Sequence, residues 1–169
     1  MIEITESGVT FGPFEEGSLY EIEKSKNLPN NSKPVEFVWA ITGRNTLVLV
    51  EAKSSFSKPV NETDFNKNIK DICDKFMDSL VVMVAAYLSR LEKIRDELPD
   101  DFEQVEWSRA NIQFRLVIPS FSKEWLPPIN DKLRTSLKHF LLSFGIPVEN
   151  LKVVNKDLAL QEGLLKPEQ

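Results

Sequence analysis

A chain of 169 residues with 41% hydrophobic and 28% charged residues has the composition of one globular domain with room for a core. Its net charge of −5 argues against a protein that holds nucleic acid mainly through a basic surface. The longest apolar run, residues 80–88, is too short to cross a bilayer, and the start of the chain lacks the pattern of a signal peptide, so we expect a soluble cytoplasmic protein.

The chain has one cysteine and one histidine, which excludes an intrachain disulfide and a Cys/His zinc cage. A catalytic pair of Cys73 and His139 is formally available. Cys73, however, falls at helical spacing among apolar residues, which is typical of a buried structural thiol. We expect His139 at the surface or boundary of another amphipathic helix, and we assign no chemistry to either residue.

The first part of the chain predicts mainly strands. Alternating apolar residues broken by glycines in residues 2–12 indicate short strands and turns. Residues 18–24 fit either a helical or an extended segment, and residues 27–34 have the composition of a loop. Two segments rich in β-branched and aromatic residues, Val35 to Thr42 and Thr46 to Lys53, predict a β-hairpin.

The second part of the chain alternates helix and strand. Apolar residues at three- and four-residue intervals predict a long helix from Glu62 to Arg95. A strand is predicted from Asn111 to Ile118, and a second helix begins with a cap at Asn130 or Asp131 and ends at Gly145. A short strand at Leu151 to Val154 precedes a tail or short helix over residues 158–169. This order predicts a single α/β domain, 1–169, with its core at about 18–155.

On one face of the second hairpin strand, apolar residues are followed by charged ones. Because side chains alternate along a strand, Leu47, Leu49, Glu51 and Lys53 share a face. The opposite face is also apolar, as expected of a strand covered on both sides. Glu51 therefore continues a buried row, where an unpaired carboxylate is costly.

The hairpin turn decides which residue lies opposite Glu51. A two-residue turn at Gly43-Arg44 sets Glu36 opposite Glu51, whereas a turn at Arg44-Asn45 sets Glu36 opposite Lys53. Both registers place Glu36 on the face of Glu51 and Lys53. A three-residue loop without a compensating bulge would break this agreement.

Two carboxylates facing each other on neighbouring strands repel unless positive charge lies between them. Mg²⁺ prefers such oxygen ligands, and the carbonyl of Ala52 would supply a third protein ligand beside Glu36 and Glu51. Lys53 would then position the attacking water or neutralise charge in the transition state. The plainer alternative is that Glu51 and Lys53 form only a salt bridge at the end of a strand.

The segments Pro34-Val-Glu36 and Glu51-Ala-Lys53, fifteen residues apart, resemble the motif of the PD-(D/E)xK nuclease superfamily. The similarity covers residues 18–118 and departs in one respect, because Glu36 stands where Asp is usual. It implies a restriction-endonuclease-like mixed sheet flanked by helices, with Mg²⁺-dependent hydrolysis of DNA in preference to RNA, and with Mn²⁺ as a substitute metal. Many members use a further acid before the hairpin. Glu21 and Glu23 share a face if that segment is extended, and we favour Glu23.

Lysines 58, 67 and 70 would form a positive rim near the strand end, although charged helix faces are usually just solvated. Glycine-rich phosphate loops, dinucleotide-binding fingerprints and nucleophile elbows are absent from the sequence. The expected partner is nucleic acid, and we expect no association with a membrane. Two rivals to an active nuclease stay open: a catalytically inactive nuclease-like scaffold or binding subunit, and a domain whose exposed long helix pairs two copies as a homodimer.

Overall fold

A computed structural model describes residues 1–167, and its centre is a five-stranded mixed sheet in the order β3-β4-β5-β6-β7. The strands are β1 Ile2–Glu6, β2 Val9–Phe14, β3 Leu19–Tyr20, β4 Phe37–Ile41, β5 Thr46–Ala52, β6 Asn111–Val117 and β7 Leu151–Val154. The helices are α1 Glu62–Tyr87, α2 Glu92–Arg95, α3 Leu126–Ser143 and α4 Lys156–Gln161. The molecule is one mixed α/β domain, as the sequence predicts.

The sheet changes direction at its central strand. Strands β3, β4 and β5 are antiparallel neighbours, whereas β5, β6 and β7 run parallel. The parallel strands are joined through α1 and α3, since parallel neighbours need a long crossover connection. The carboxyl ends of β5 and β6 therefore meet at the same edge as the start of β4.

Apolar cores cover both faces of the sheet. Leu47 and Leu49 pack with α1 and α3 in the larger core, whereas Val48 and Val50 pack with the β1–β2 hairpin and α4. Every residue of β5 is buried, which confirms the prediction of a strand covered on both sides.

The predicted helix from Glu62 to Arg95 is wrong at its end, because α1 stops at Tyr87 and α2 is separate. Ser89 adopts a left-handed φ of 57°, and the amides of Arg90 and Leu91 both donate to Ala85 O, at 2.8 and 3.3 Å. This closes the helix as a C-terminal cap does. Serine is uncommon at such a position, and the apolar periodicity of the sequence continues past the break. The sequence therefore does not indicate where α1 ends.

The second helix also differs from its prediction, because α3 begins at Leu126 and not after a cap at Asn130 or Asp131. Pro127 and Pro128 occupy its first turn, where a missing N–H costs no intrahelical bond. Asn130 contacts the sheet instead, and its Oδ1 accepts from Val153 N on the outer edge of β7, at 3.1 Å. An edge amide of the sheet is thereby capped by a side chain.

The C-terminal segment contains α4 followed by residues that pair back on the N-terminal hairpin, with Leu165 bridging Phe11. The predicted tail or short helix over 158–169 is thus a helix that starts two residues earlier, and Glu168 and Gln169 lie outside the described residues. Among residues 1–167, no helix is both long and apolar enough to cross a membrane.

Candidate active site

The hairpin register sets the two glutamates against each other. Phe37 pairs with Val50 and Ile41 pairs with Thr46, so the turn lies at Gly43-Arg44, and the same register extended by one pair would set Glu36 opposite Glu51. Of the two registers left open by the sequence, this is the first. Glu36 immediately precedes β4, and by alternation it lies on the face of Val38 and Ala40, which is the face covered by α1.

Glu51 is the centre of the site, and its side chain is 0% exposed. Its Oε1 lies 2.8 Å from Lys75 Nζ and 3.2 Å from Lys53 Nζ. Both oxygens of the carboxylate are buried, and the two ammonium groups are its charged neighbours. Burial raises the pKa of the Glu51 carboxyl, and the two lysines oppose that rise.

Lys75 also belongs to the site, although it was not predicted from the sequence. It lies on α1 one turn after Asp71 and one turn before the buried Ser79, beside the apolar stripe of the helix. Burial lowers the pKa of Lys75, but the contact with Glu51 more than offsets this, and the pKa is raised overall. The sequence indicates only that Lys75 lies beside the apolar stripe of α1. Its partner, Glu51, is evident only from the packing of α1 on β5.

Lys53 is 33% exposed and connects Glu51 to a surface network of charges. Its Nζ lies 3.7 Å from Asp71, and Lys33 in turn lies 3.7 Å from Asp71 and 3.2 Å from Asp74. The amide of Lys33 also donates to Asp78 Oδ2 at 2.9 Å. The loop before β4 is therefore fixed across the polar side of α1.

Of the two acids before the hairpin, Glu23 lies near Glu36, but the segment is not extended as the sequence argument assumed. Residues Ile22–Lys24 form a 3-10 turn, so Glu21 and Glu23 do not share the face of an extended segment. Glu21 pairs with Lys24 at the surface. Glu23 instead lies beside Glu36 and contributes to the raised pKa of the Glu36 carboxyl.

Glu36 holds a proton at neutral pH. Burial, the hydrogen bond to Glu23 and the negative charge of Glu51 raise the pKa of Glu36 to about 8. Glu23, Glu36 and Glu51 thus lie near one another at the carboxyl end of β5.

Within residues 1–167, no cluster of three or more His, Cys, Asp or Glu is already arranged to hold a metal ion. The oxygen donors nevertheless suit a hard cation, because both oxygens of the Glu51 carboxylate are buried and the proton on Glu36 is exchangeable. The amide of Lys53 donates to Val117 O at 2.9 Å, on the β6 side. Backbone groups alternate in direction, so the Ala52 carbonyl points to the other side, where Glu36 lies.

The remaining predicted residues surround this centre. Ser54 and Ser55 follow Lys53 in sequence, and could bind a phosphate or serve only as loop residues; both are exposed, and Ser54 O accepts from Ser120 Oγ at 3.1 Å. Of the rim lysines, Lys70 pairs with Asp74, Lys67 is exposed, and Lys58 lies over the ring of Trp125.

Cys73 and His139 have the predicted environments. Cys73 is buried, and burial raises the pKa of its thiol to about 11, so it is not a nucleophile at neutral pH. His139 is exposed on α3.

Comparison of the chain with protein-family models, with curated proteins and with solved structures finds no match. The chemistry of the site therefore rests on its own residues.

Proposed function

We propose that this domain hydrolyses phosphodiester bonds in nucleic acid, DNA in preference to RNA, with Mg²⁺ or Mn²⁺. The observation that supports this best is the buried Glu51 carboxylate at the end of β5, beside the protonated Glu36 and two lysines. A purely structural salt bridge does not require a second and a third carboxyl group beside it, because each one adds repulsion.

We also propose that the fold is restriction-endonuclease-like. The support is the order of elements: an antiparallel β3–β4–β5 unit with the acids, the crossover helix α1, and the parallel strand β6. In this arrangement the acids lie at the carboxyl end of the strand before the crossover, the edge at which α/β sheets commonly bind ligands.

In the proposed mechanism Glu36, Glu51 and the Ala52 carbonyl hold the cation. A bound Mg²⁺ would supply an acidified water and would stabilise negative charge on the phosphate. Glu23 takes part by accepting the hydrogen bond of Glu36 until that proton leaves. Lys53, the more exposed lysine, faces the substrate side and assists the attacking water or the developing charge.

Lys75 is a positioning residue in this scheme. Its ammonium lies 2.8 Å from Oε1 of Glu51 and opposes the rise in the pKa of that carboxyl caused by burial. Removal of Lys75 should therefore weaken cation binding through Glu51, since burial alone favours the protonated acid.

One alternative has its own support. Glu51 is closed to solvent and already neutralised by two lysines, as it would be in an inactive nuclease-like scaffold or binding subunit. The exposed side chains of Val81 and Leu88 at the end of α1 would then serve self-association as a homodimer.

The deciding experiment is cleavage of mixed single-stranded and duplex DNA and RNA in Mg²⁺ or Mn²⁺ by wild type, Glu51→Gln and Glu51→Ala. Gln preserves the volume of the buried side chain, whereas Ala leaves two lysines facing a cavity. Glu149→Gln, at the amino end of β7, is the matched control. We expect a loss of about a hundred- to a thousandfold in rate for Glu51→Gln and none for Glu149→Gln. A folded wild type that cuts no substrate with either metal would favour the scaffold.

A further inference from the structure

An exposed tryptophan lies at the carboxyl edge of the parallel strands. Trp125 follows β6 immediately before α3, is 39% exposed, and has Lys58 Nζ 3.8 Å from the centroid of its ring. This is a cation–π contact, in which the ammonium group sits on the electron-rich face of the indole. The pair combines a large flat apolar surface with a positive charge.

The Lys58–Trp125 pair and the site share one edge of the sheet. Lys58 is five residues after Lys53, so their Cα atoms are at most about 18 Å apart. The loops after β5 and β6 are tied together, because Lys53 N donates to Val117 O and Ser120 Oγ donates to Ser54 O. Inside the first loop Phe56 is buried against Phe65 and Ser57 N donates to Asn68 Oδ1, which fixes the position of Lys58.

The charge of the chain limits how a polyanion is held there. A domain with a net charge of −5 has little capacity to bind a duplex through phosphate contacts alone. Stacking of a base on an aromatic ring is independent of net charge and needs an unstacked, accessible base. A single strand offers such bases throughout, whereas an intact duplex keeps them covered.

We propose that Lys58 and Trp125 form a stacking platform for one base of single-stranded DNA, with the Lys58 ammonium taking an adjacent phosphate. This inference rests on the proposed function, because it takes the ligand of the neighbouring site to be nucleic acid. The platform and the proposed site lie at the same edge of the sheet, so one strand can reach both. The substrate class is thereby a single strand or a single-stranded end.

The test is fluorescence anisotropy of a labelled DNA single strand, its duplex and the matching RNA strand, in EDTA and at several salt concentrations. The variants are Trp125→Ala, Trp125→Phe and Lys58→Ala. Phe144→Ala is the matched control, since Phe144 is also 39% exposed but lies at the other end of α3. Lys138→Ala, on the same helix, controls for loss of a surface charge.

We expect Trp125→Ala to weaken single-strand binding by about 5- to 150-fold. Trp125→Phe should keep most of the wild-type affinity, and Phe144→Ala should keep all of it. Lys58→Ala should lower the salt slope by about 0.7, and Lys138→Ala should not. Equal single-strand affinity of Trp125→Ala and wild type would overturn the platform, as would equal losses on strand and duplex. A clear preference for RNA would overturn the choice of DNA. The EDTA assay measures binding without cleavage, so a protein that binds in this way but cuts nothing would refute only the nuclease function.

Discussion

At the scale of single residues, Lys53 and Lys75 contact the same oxygen of Glu51 but are held differently. Lys75 is 14% exposed and comes from the rigid middle of α1, whereas Lys53 is 33% exposed and is shared with Asp71. Breaking a buried pair is costly because the remaining charge loses its partner. An exposed, shared contact contributes less.

The first prediction separates the two lysines. Lys75→Met should lower the free energy of unfolding by about 1–3 kcal/mol, because Lys53 remains as a partial partner. Lys53→Met should cost less stability, keep metal binding, and reduce cleavage by about a hundred- to a thousandfold. Thermal melts, metal titration and cleavage rates on the same preparations measure all three effects, with Lys138→Met as control. A larger stability loss in Lys53→Met, with no change in rate, would point to a salt bridge without catalysis.

The second prediction concerns Glu36 and pH. Because the folded-state pKa is raised from 4.5 to about 8, the folded protein holds a proton that the unfolded chain releases between these values. Stability contributed by this proton is present below pH 4.5 and is lost as the pH rises through 8. Glu36→Gln mimics the protonated acid and should reduce the loss of stability as the pH rises. After discounting for partial exposure, the variant should gain about 1–2 kcal/mol over wild type at about pH 9.

Melting temperatures of wild type and Glu36→Gln across this pH range check the prediction. The melting curves should nearly coincide at about pH 5 and separate by several degrees at about pH 9. Glu149→Gln is again the control, because it retains the three clustered carboxyl groups. Parallel pH profiles for wild type and Glu36→Gln would mean that Glu36 is an ordinary surface acid.

At the scale of elements, one hydroxyl joins α1 to the chain that leads into β4. Ser79 is fully buried, and its Oγ accepts from Val35 N at 2.8 Å. Ser79→Ala would leave that buried amide without its partner, so we expect a loss of about 1–3 kcal/mol in unfolding free energy. Ser143→Ala, which removes an exposed helical hydroxyl bonded to His139 O, should change stability by less than about 0.5 kcal/mol. Denaturant melts of both variants test this, and equal losses would contradict it.

The elements that the sequence predicts correctly are those with a strong local pattern. β4, β5 and β6 have dense β-branched and aromatic residues, and α1 has a long apolar stripe. The predicted end of α1 was wrong because Ser89 has no strong signal for a left-handed conformation. The predicted start of α3 was wrong because prolines fit a first turn as well as a loop.

The part of the site that depends on the alternation of side chains along the hairpin strands was predictable from the sequence. Glu51 lies on β5, Lys53 follows that strand and Glu36 immediately precedes β4, and both candidate registers place the three residues on one face. Lys75 lies on a helix that crosses the sheet, and its contact with Glu51 depends on packing that no local pattern encodes. Glu23 lies near Glu36, but the argument that favoured it was wrong, since the segment expected to be extended is a 3-10 turn.

At the scale of the whole molecule, metal binding, proton binding and stability are linked. A cation that binds only the folded state stabilises it by mass action. A cation held by Glu36 and Glu51, as we propose, would have to displace the proton on Glu36, whose pKa is raised to about 8. Each pH unit below that value should therefore weaken the apparent metal affinity by about tenfold. A cation bound by an ordinary surface carboxylate would show no such dependence near neutral pH.

The last prediction follows from this linkage. Millimolar Mg²⁺ or Mn²⁺ should raise the melting temperature of wild type more at about pH 8 than at about pH 6, and Glu51→Gln should show almost no shift at either pH. Calorimetric titration in buffers of different ionisation enthalpy should give nearly one proton released per cation at about pH 7, because Glu36 is still mostly protonated there. Equal shifts in wild type and Glu51→Gln would place the cation elsewhere. If the metal-induced rise in melting temperature is independent of pH but is abolished by Glu51→Gln, Glu51 is a ligand and Glu36 is not. Only a ligand that must lose its proton makes metal affinity depend on pH in this range.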